Sequence, residues 1–201
     1  MAITLYKGRT SSPASGQPLI FTFHGTGGDE HQFFTLALGL VPGAGVISPR
    51  GDVLQEGSLR FLEQIDTQDP EGQNNKSRAD RMLSYVRAHI AAHPGHPVFG
   101  FGYSNGANML ATITLRQPDL FDRIALLHPS LAWEMEQIPA LDGLRVLVTT
   151  GMRDQIASAQ TTNDLVSALR FRKAKVTSDT HDGGQELRQS EIGALRTFFT
   201  Q

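Results

Sequence analysis

Five residues, Gly102-Tyr103-Ser104-Asn105-Gly106, follow an apolar run and open a helical pattern. A sharp strand-to-helix reversal forces its middle residue into a strained backbone conformation. Side chains two positions to either side would collide with neighbouring chain, so glycine fits there. The Ser104 hydroxyl is then expected at the C-terminal edge of a sheet, beside unpaired N–H groups and the positive end of a helix. A nucleophile whose attack creates an oxyanion needs that setting. Serine is a weak nucleophile at neutral pH and needs a base, which in turn needs an orienting carboxylate. Asp154 follows the apolar run Arg145 to Thr150, and His181 follows the weaker run Lys175 to Asp179. Both fall where strands should end on the edge that carries Ser104, in the order serine, acid, base.

Tetrahedral intermediates need two N–H donors. One is expected from Asn105, directly after the nucleophile. The other is expected from Thr26 in His24-Gly25-Thr26-Gly27-Gly28-Asp29, where glycines let the backbone approach a substrate oxygen. A phosphate loop is a poor reading of this stretch. It lacks the Gly-Lys-Ser/Thr ending, and Asp29-Glu30 would repel phosphate. His24, straight after a buried strand, reads as a residue that holds the loop. Asp142 precedes its strand and so belongs to the opposite edge. Asp179 and Asp182 read as turn residues. His128 ends a strand within range of the pocket but is followed by Pro129. His89, His93 and His96 suggest a metal cluster, yet a helix end and the turn after it explain them better, and no metal is expected.

The elements that must position these residues are legible as alternating patterns. Strands are expected at Pro18 to Phe23, Val46 to Ser48, Pro97 to Gly102, Ile124 to His128, Arg145 to Thr150 and Lys175 to Asp179, with an edge strand at Ile3 to Lys7. Helices are expected at His31 to Gly39, Ser77 to His93, Asn105 to Arg116, Thr161 to Phe171 and Gly193 to Phe199. The polar stretch Gln64 to Lys76 reads as a surface loop. This alternation predicts an α/β chain with a mostly parallel central sheet covered by helices on both faces. The 201 residues suit a single domain, residues 1–201. A net charge of −2 gives no reason to expect nucleic acid or an anionic membrane as partner. The absence of cysteine excludes disulfides and thiolate metal sites. No leader pattern and no run near ~20 apolar residues is present, so a cytoplasmic protein is expected.

The pieces LIFTFHGTGGDEHQF, ISPRGDVLQEGSLRFLEQ, VFGFGYSNGANML, VLVTTGMRDQI and HDGGQEL run in order from residue 18 onward. Together they resemble the phospholipase/carboxylesterase family of small α/β-hydrolases, in its bacterial carboxylesterase branch related to dienelactone hydrolase. The resemblance implies Ser104 as nucleophile, Asp154 as orienting acid, His181 as base, and Thr26 and Asn105 as the oxyanion hole. It implies ester hydrolysis through an acyl-enzyme, with no cofactor. Three departures stand out: Thr180-His181-Asp182 in place of a glycine before the histidine and an apolar residue after it, Gln155 in place of proline after the acid, and Asn105 in place of the glutamine of the thioesterase branch.

The connection holding Arg50, Arg60 and Phe61 is expected to wall the pocket. An arginine there could bind a carboxylate or tie the loop down by ion pairs. His128 is a further pocket candidate. With no sizeable lid insertion near residue 124, short soluble esters are the expected substrates. Thioester or lactone hydrolysis on the same triad, and a non-catalytic module for a small ligand, are the alternatives. A homodimer through Trp133 and Met135 is the one protein partner suggested.

Overall fold

The computed structural model describes residues 2–64, 72–130 and 139–201. Seven strands form one sheet: β1 (Gly8–Ser11), β2 (Leu19–Phe23), β3 (Gly45–Pro49), β6 (Val98–Tyr103), β7 (Arg123–Leu127), β8 (Arg145–Gly151) and β9 (Lys175–His181). Two further short strands, β4 (Val53–Gln55) and β5 (Ser58–Arg60), pair with each other outside it. The spatial order of the sheet is β1-β3-β2-β6-β7-β8-β9, and every neighbouring pair is parallel except β1 with β3. The helices are α1 (Phe34–Leu40), α2 (Gln73–Ala92), α3 (Asn105–Arg116), α4 (Ala159–Phe171) and α5 (Gln189–Thr200). This is the α/β-hydrolase arrangement: a mostly parallel sheet with helices on both faces.

The apolar runs are continuous because both faces are covered. Along β2, Leu19, Phe21 and Phe23 pack with Met82 and Val86 of α2 and Leu110 of α3. Ile20, between them, faces the other side with Phe34 and Leu40 of α1 and Phe198 and Phe199 of α5. β7 and β8 divide in the same way: Ile124, Leu126, Val146 and Val148 face one core, Ala125, Leu127 and Leu147 the other. β9 has a neighbour on one side only and is mostly polar and exposed, which explains its weak signal.

The edge strand lies at Gly8–Ser11, not Ile3 to Lys7. Tyr6 turns inward instead and meets Tyr85 edge-on, with ring centroids 5.4 Å apart. The β4–β5 hairpin is unmarked by hydrophobic pattern and turns at Glu56-Gly57, both with positive φ. α2 begins at Gln73, so the end of the expected loop is helical. Asn75 there accepts the Glu63 N–H (2.8 Å) and donates to the Glu63 carbonyl (3.0 Å). α5 likewise begins earlier than its apolar pattern, where Glu191 accepts the Arg188 N–H at 2.8 Å. Residues 65–71 of the expected loop, and Trp133 and Met135 of the expected dimer surface, lie outside the described residues. Among the described residues no helix is long and apolar enough to cross a membrane.

Candidate active site

β6 ends where α3 begins, and Ser104 is the hinge, at φ 52° and ψ −116°. A Cβ on Gly102 would lie 2.5 Å from the Gly106 carbonyl carbon, and one on Gly106 would overlap the Phe23 and His24 carbonyls. The two glycines are therefore the condition for the turn. The Ser104 N–H donates to the Leu127 carbonyl on β7 (2.9 Å), which anchors the turn to the sheet.

The β2–α1 loop arrives alongside. Gly25 is required because a Cβ would meet the Tyr103 ring at 2.7 Å. His24 accepts the Gly51 N–H at Nε2 (2.8 Å), which leaves its Nδ1–H to donate to the Gly25 carbonyl (2.8 Å). Burial pushes the pKa of His24 down, so the ring is a neutral brace, in keeping with its expected role. Gln32 accepts the Gly25 N–H (3.0 Å), and the Gly27 N–H donates to the Leu59 carbonyl (2.8 Å). Neither Thr26 nor Asn105 gives its N–H to a backbone carbonyl outside the regular elements among the described residues. Asn105 stands at the first turn of α3, where intrahelical acceptors are missing. Its side chain holds the neighbouring connection. Oδ1 accepts the N–H groups of Phe61 (2.7 Å) and Leu62 (3.2 Å), and Nδ2 donates to the Leu62 carbonyl (2.9 Å).

Thr26, Arg60, Leu62, Ser104, Asn105 and Gln185 are among the residues lining a cavity of about 450 Å³. Arg60 lines this cavity. Phe61 and His128 are not among its lining residues. Phe61 is buried against Phe23 (5.6 Å between centroids) and His24 (4.4 Å), and His128 is wholly buried. Arg50 is tied to Glu30 (3.8 Å), the structural alternative for that residue.

Ser104, His181 and Asp154 are not joined in one hydrogen-bonded chain. Asp154 accepts from His128 Nδ1 (2.8 Å) through one oxygen and from the N–H groups of Ile156 and Ala157 (2.8 Å each) through the other. The far nitrogen of His128 meets Glu191 Oε1 (3.0 Å), which also accepts the Thr149 hydroxyl (2.6 Å). His181 is still a strand residue, paired with Gly151 in the β8–β9 register. Its Nδ1 accepts the Gly183 N–H (3.0 Å), and its Nε2 lies 3.2 Å from Glu191 Oε2. Among the described residues, Gln185 hydrogen-bonds the Ser104 hydroxyl, its amide Nε2 donating to Ser104 Oγ at 3.2 Å. The Tyr103 hydroxyl holds Gln185 in place by donating to its carbonyl (2.7 Å).

The electrostatics follow from this arrangement. Burial alone would lower the pKa of His128, but hydrogen bonds to Glu191 and Asp154 outweigh it and raise the value. Burial alone would raise that of Glu191, but His128, Thr149 and the Arg188 backbone outweigh it and lower the value. Both ring nitrogens of His128 face carboxylates, which favours its charged form. His128, His181 and Glu191 lie close enough to share a metal ion. The Gly183 N–H nevertheless fixes Nδ1 of His181 as the acceptor, so its Nε2 carries the proton and has no lone pair to offer a metal. The group is better suited to sharing protons than to binding a cation.

The histidines of α2 and its following turn do not converge. His93 Nδ1 meets the His89 carbonyl (2.9 Å), His96 Nδ1 meets the Gln17 carbonyl (2.7 Å), and His89 is buried edge-on to Tyr85. Gln185 and Glu191 escape sequence reasoning. Gln185 stands four residues after a more conspicuous histidine, and Glu191 reads as an ordinary first-turn helix residue.

No family model matches the chain. It is 36% identical to the protein Atu2452 of unknown function from Agrobacterium tumefaciens, over 100% of this chain and 98% of that one, with a TM-score of 0.90. It is 25% identical to the Bacillus cereus carboxylesterase, over 97% and 93% of the two chains, with a TM-score of 0.88. A curated relative, named "Putative hydrolase MhqD", from Bacillus subtilis is 26% identical over 185 residues, 91% of this chain and 92% of that one.

Proposed function

We propose that the chain, which is similar to a carboxylesterase and to a putative hydrolase, hydrolyses short carboxylic esters with Ser104 as nucleophile. The observation that carries the reading is the strained Ser104 turn, which presents the hydroxyl to a cavity beside Thr26 and Asn105. Ser104 Oγ attacks the ester carbonyl, and the N–H groups of Thr26 and Asn105 receive the oxyanion. The Ser104 proton passes through solvent water to the leaving alcohol, and a second water releases the acid from the acyl-enzyme and restores the Ser104 hydroxyl. One oxyanion donor is worth about 2.7–4 kcal/mol of transition-state stabilisation.

The described geometry offers Ser104 no histidine lone pair. Both nitrogens of His128 face carboxylates, and that of His181 is taken by Gly183. Catalysis in this arrangement rests on the nucleophile, the oxyanion hole and substrate positioning, which in serine hydrolases retain about 10³–10⁴-fold acceleration over water without a working triad. A relay through His181 and Asp154 would need Asp154 to exchange His128 for His181, and His181 to replace Gln185 at Ser104 Oγ. A second reading, a pocket that binds a small ligand without turnover, is favoured by the Gln185 contact alone.

Labelling with a fluorophosphonate, followed by peptide mass spectrometry, tests these readings together. Ester hydrolysis through Ser104 predicts an adduct on Ser104, none in Ser104→Ala, and measurable hydrolysis of acetate esters. If His181→Ala retains the labelling rate, His181 is not the base; loss of labelling in a folded His181→Ala protein assigns it that role. No adduct and no ester turnover in folded wild type would leave the binding reading in possession.

A further inference from the structure

The lining of the Ser104 cavity contains a buried cation that no carboxylate among the described residues pairs. Arg60 is 7% exposed, and its buried Nε has no hydrogen-bond partner. Among the described residues no carboxylate stands within ion-pair distance of its guanidinium, whereas Arg50, Arg78, Arg81, Arg116 and Arg188 each have one. Glu63, on the same cavity, is already engaged by Arg78 at 2.5 Å and by Asn74 at 3.2 Å. The other polar lining side chains near Arg60 are neutral: Gln64, Asn75, Asn108, Ser130 and Gln185. Burying an unpaired charge is costly, and such charges are normally compensated. The fold keeps this one at a fixed place, because Arg60 closes the β4–β5 hairpin and the next two backbone N–H groups are held by Asn105.

We infer that Arg60 binds a carboxylate of the substrate, so that the site takes half-esters of small dicarboxylic acids. The inference rests on the ester-hydrolase reading and names its substrate class. A guanidinium offers a planar fork that matches a carboxylate with two parallel hydrogen bonds. One free positive charge among neutral amides balances one negative charge, which suits a monoanionic carboxylate better than a phosphate dianion. The positive end of α3, which opens at Asn105 on the same cavity, adds to the attraction. The cavity, about 450 Å³, has room for a short acyl chain bearing both groups.

Two measurements test this, one without turnover and one with it. In the first, Ser104→Ala protein is titrated calorimetrically with succinamate and with its neutral isostere succinamide. Binding of succinamate at least about tenfold tighter is expected, with the preference abolished by Arg60→Gln and partly kept by Arg60→Lys. In the second, kcat/KM for monomethyl succinate and dimethyl succinate is compared on the wild type. The monoester is expected to be preferred, mainly through KM, with the order reversed in Arg60→Gln. Equal affinity for succinamate and succinamide overturns the inference, as does an unchanged preference in folded Arg60→Gln. If Arg60→Gln does not fold, the wild-type isostere comparison and Arg60→Lys decide the question. Tight succinamate binding without hydrolysis of either ester would overturn the hydrolase reading while leaving the carboxylate site standing.

Discussion

Gln185 is placed against the Ser104 hydroxyl. Its amide donates to the hydroxyl oxygen and cannot take the hydroxyl proton. Gln185→His is expected to raise the rate of fluorophosphonate labelling and of acetate-ester hydrolysis at least tenfold, because a positioned base contributes about 10²–10⁴-fold. Gln185→Ala should change both by less than about threefold, since it adds no base. Stopped-flow assays of the two variants against wild type check the point. An unchanged rate in Gln185→His would mean that another group already accepts the proton. The contact also shows where the sequence stops informing. Ser104, its glycines and the Thr26 loop are legible because sterics dictate residue type there. His181 and Gln185 are four residues apart, and only the β8–β9 register decides which one clears the strand end. His181 is held in the ladder opposite Gly151, and Gln185 is carried over Ser104.

At the scale of elements, the strand–turn–helix unit β6–Ser104–α3 is the part most fully specified by sequence, and its helix has the bounds expected, Asn105–Arg116. Gly106→Ala should destabilise the protein by about 1–3 kcal/mol, because the new Cβ presses on the Phe23 and His24 carbonyls. Thermal unfolding would show it, and Ser104 labelling should fall in parallel. α2 supplies a second test. Burial, aided by the neighbouring His93, pulls the pKa of His89 down to about 4. The unfolded chain binds this proton near pH ~6.5, so His89 stabilises fully above that value, and the contribution is lost as pH falls from there to about 4. His89→Phe should therefore flatten the fall in Tm over that window. The first turn of α2 is illegible in the sequence because Gln73 to Lys76 have no apolar residue. It is held by the Asn75–Glu63 pair, which comes from outside the helix.

At the scale of the whole molecule, the buried group formed by His128, Asp154, Glu191 and His181 binds together the ends of β7, β8 and β9 and the start of α5. The raised pKa of His128 makes its sign the opposite of that of His89. Its contribution is complete below pH ~6.5 and is lost as pH rises through the folded-state value. Tm should fall along the alkaline limb, and His128→Asn should be less stable at neutral pH with a flatter limb. The overall layout is readable because both faces of the sheet are covered, which leaves runs such as Arg123–Leu127 and Arg145–Gly151 with a strong apolar signature. The polar group is not readable, since its members are scattered from residue 128 to residue 191 and only the crossovers of the sheet bring them together.

The identity of residue 185 has a consequence for heredity as well as for chemistry. Glutamine and histidine codons share their first two bases and differ only in the third. The amide that now rests on Ser104 is therefore one base substitution away from an imidazole. A population carrying this protein samples both forms at the ordinary rate of point mutation. The Gln185→His variant proposed above is thus also a change that a single point mutation can make.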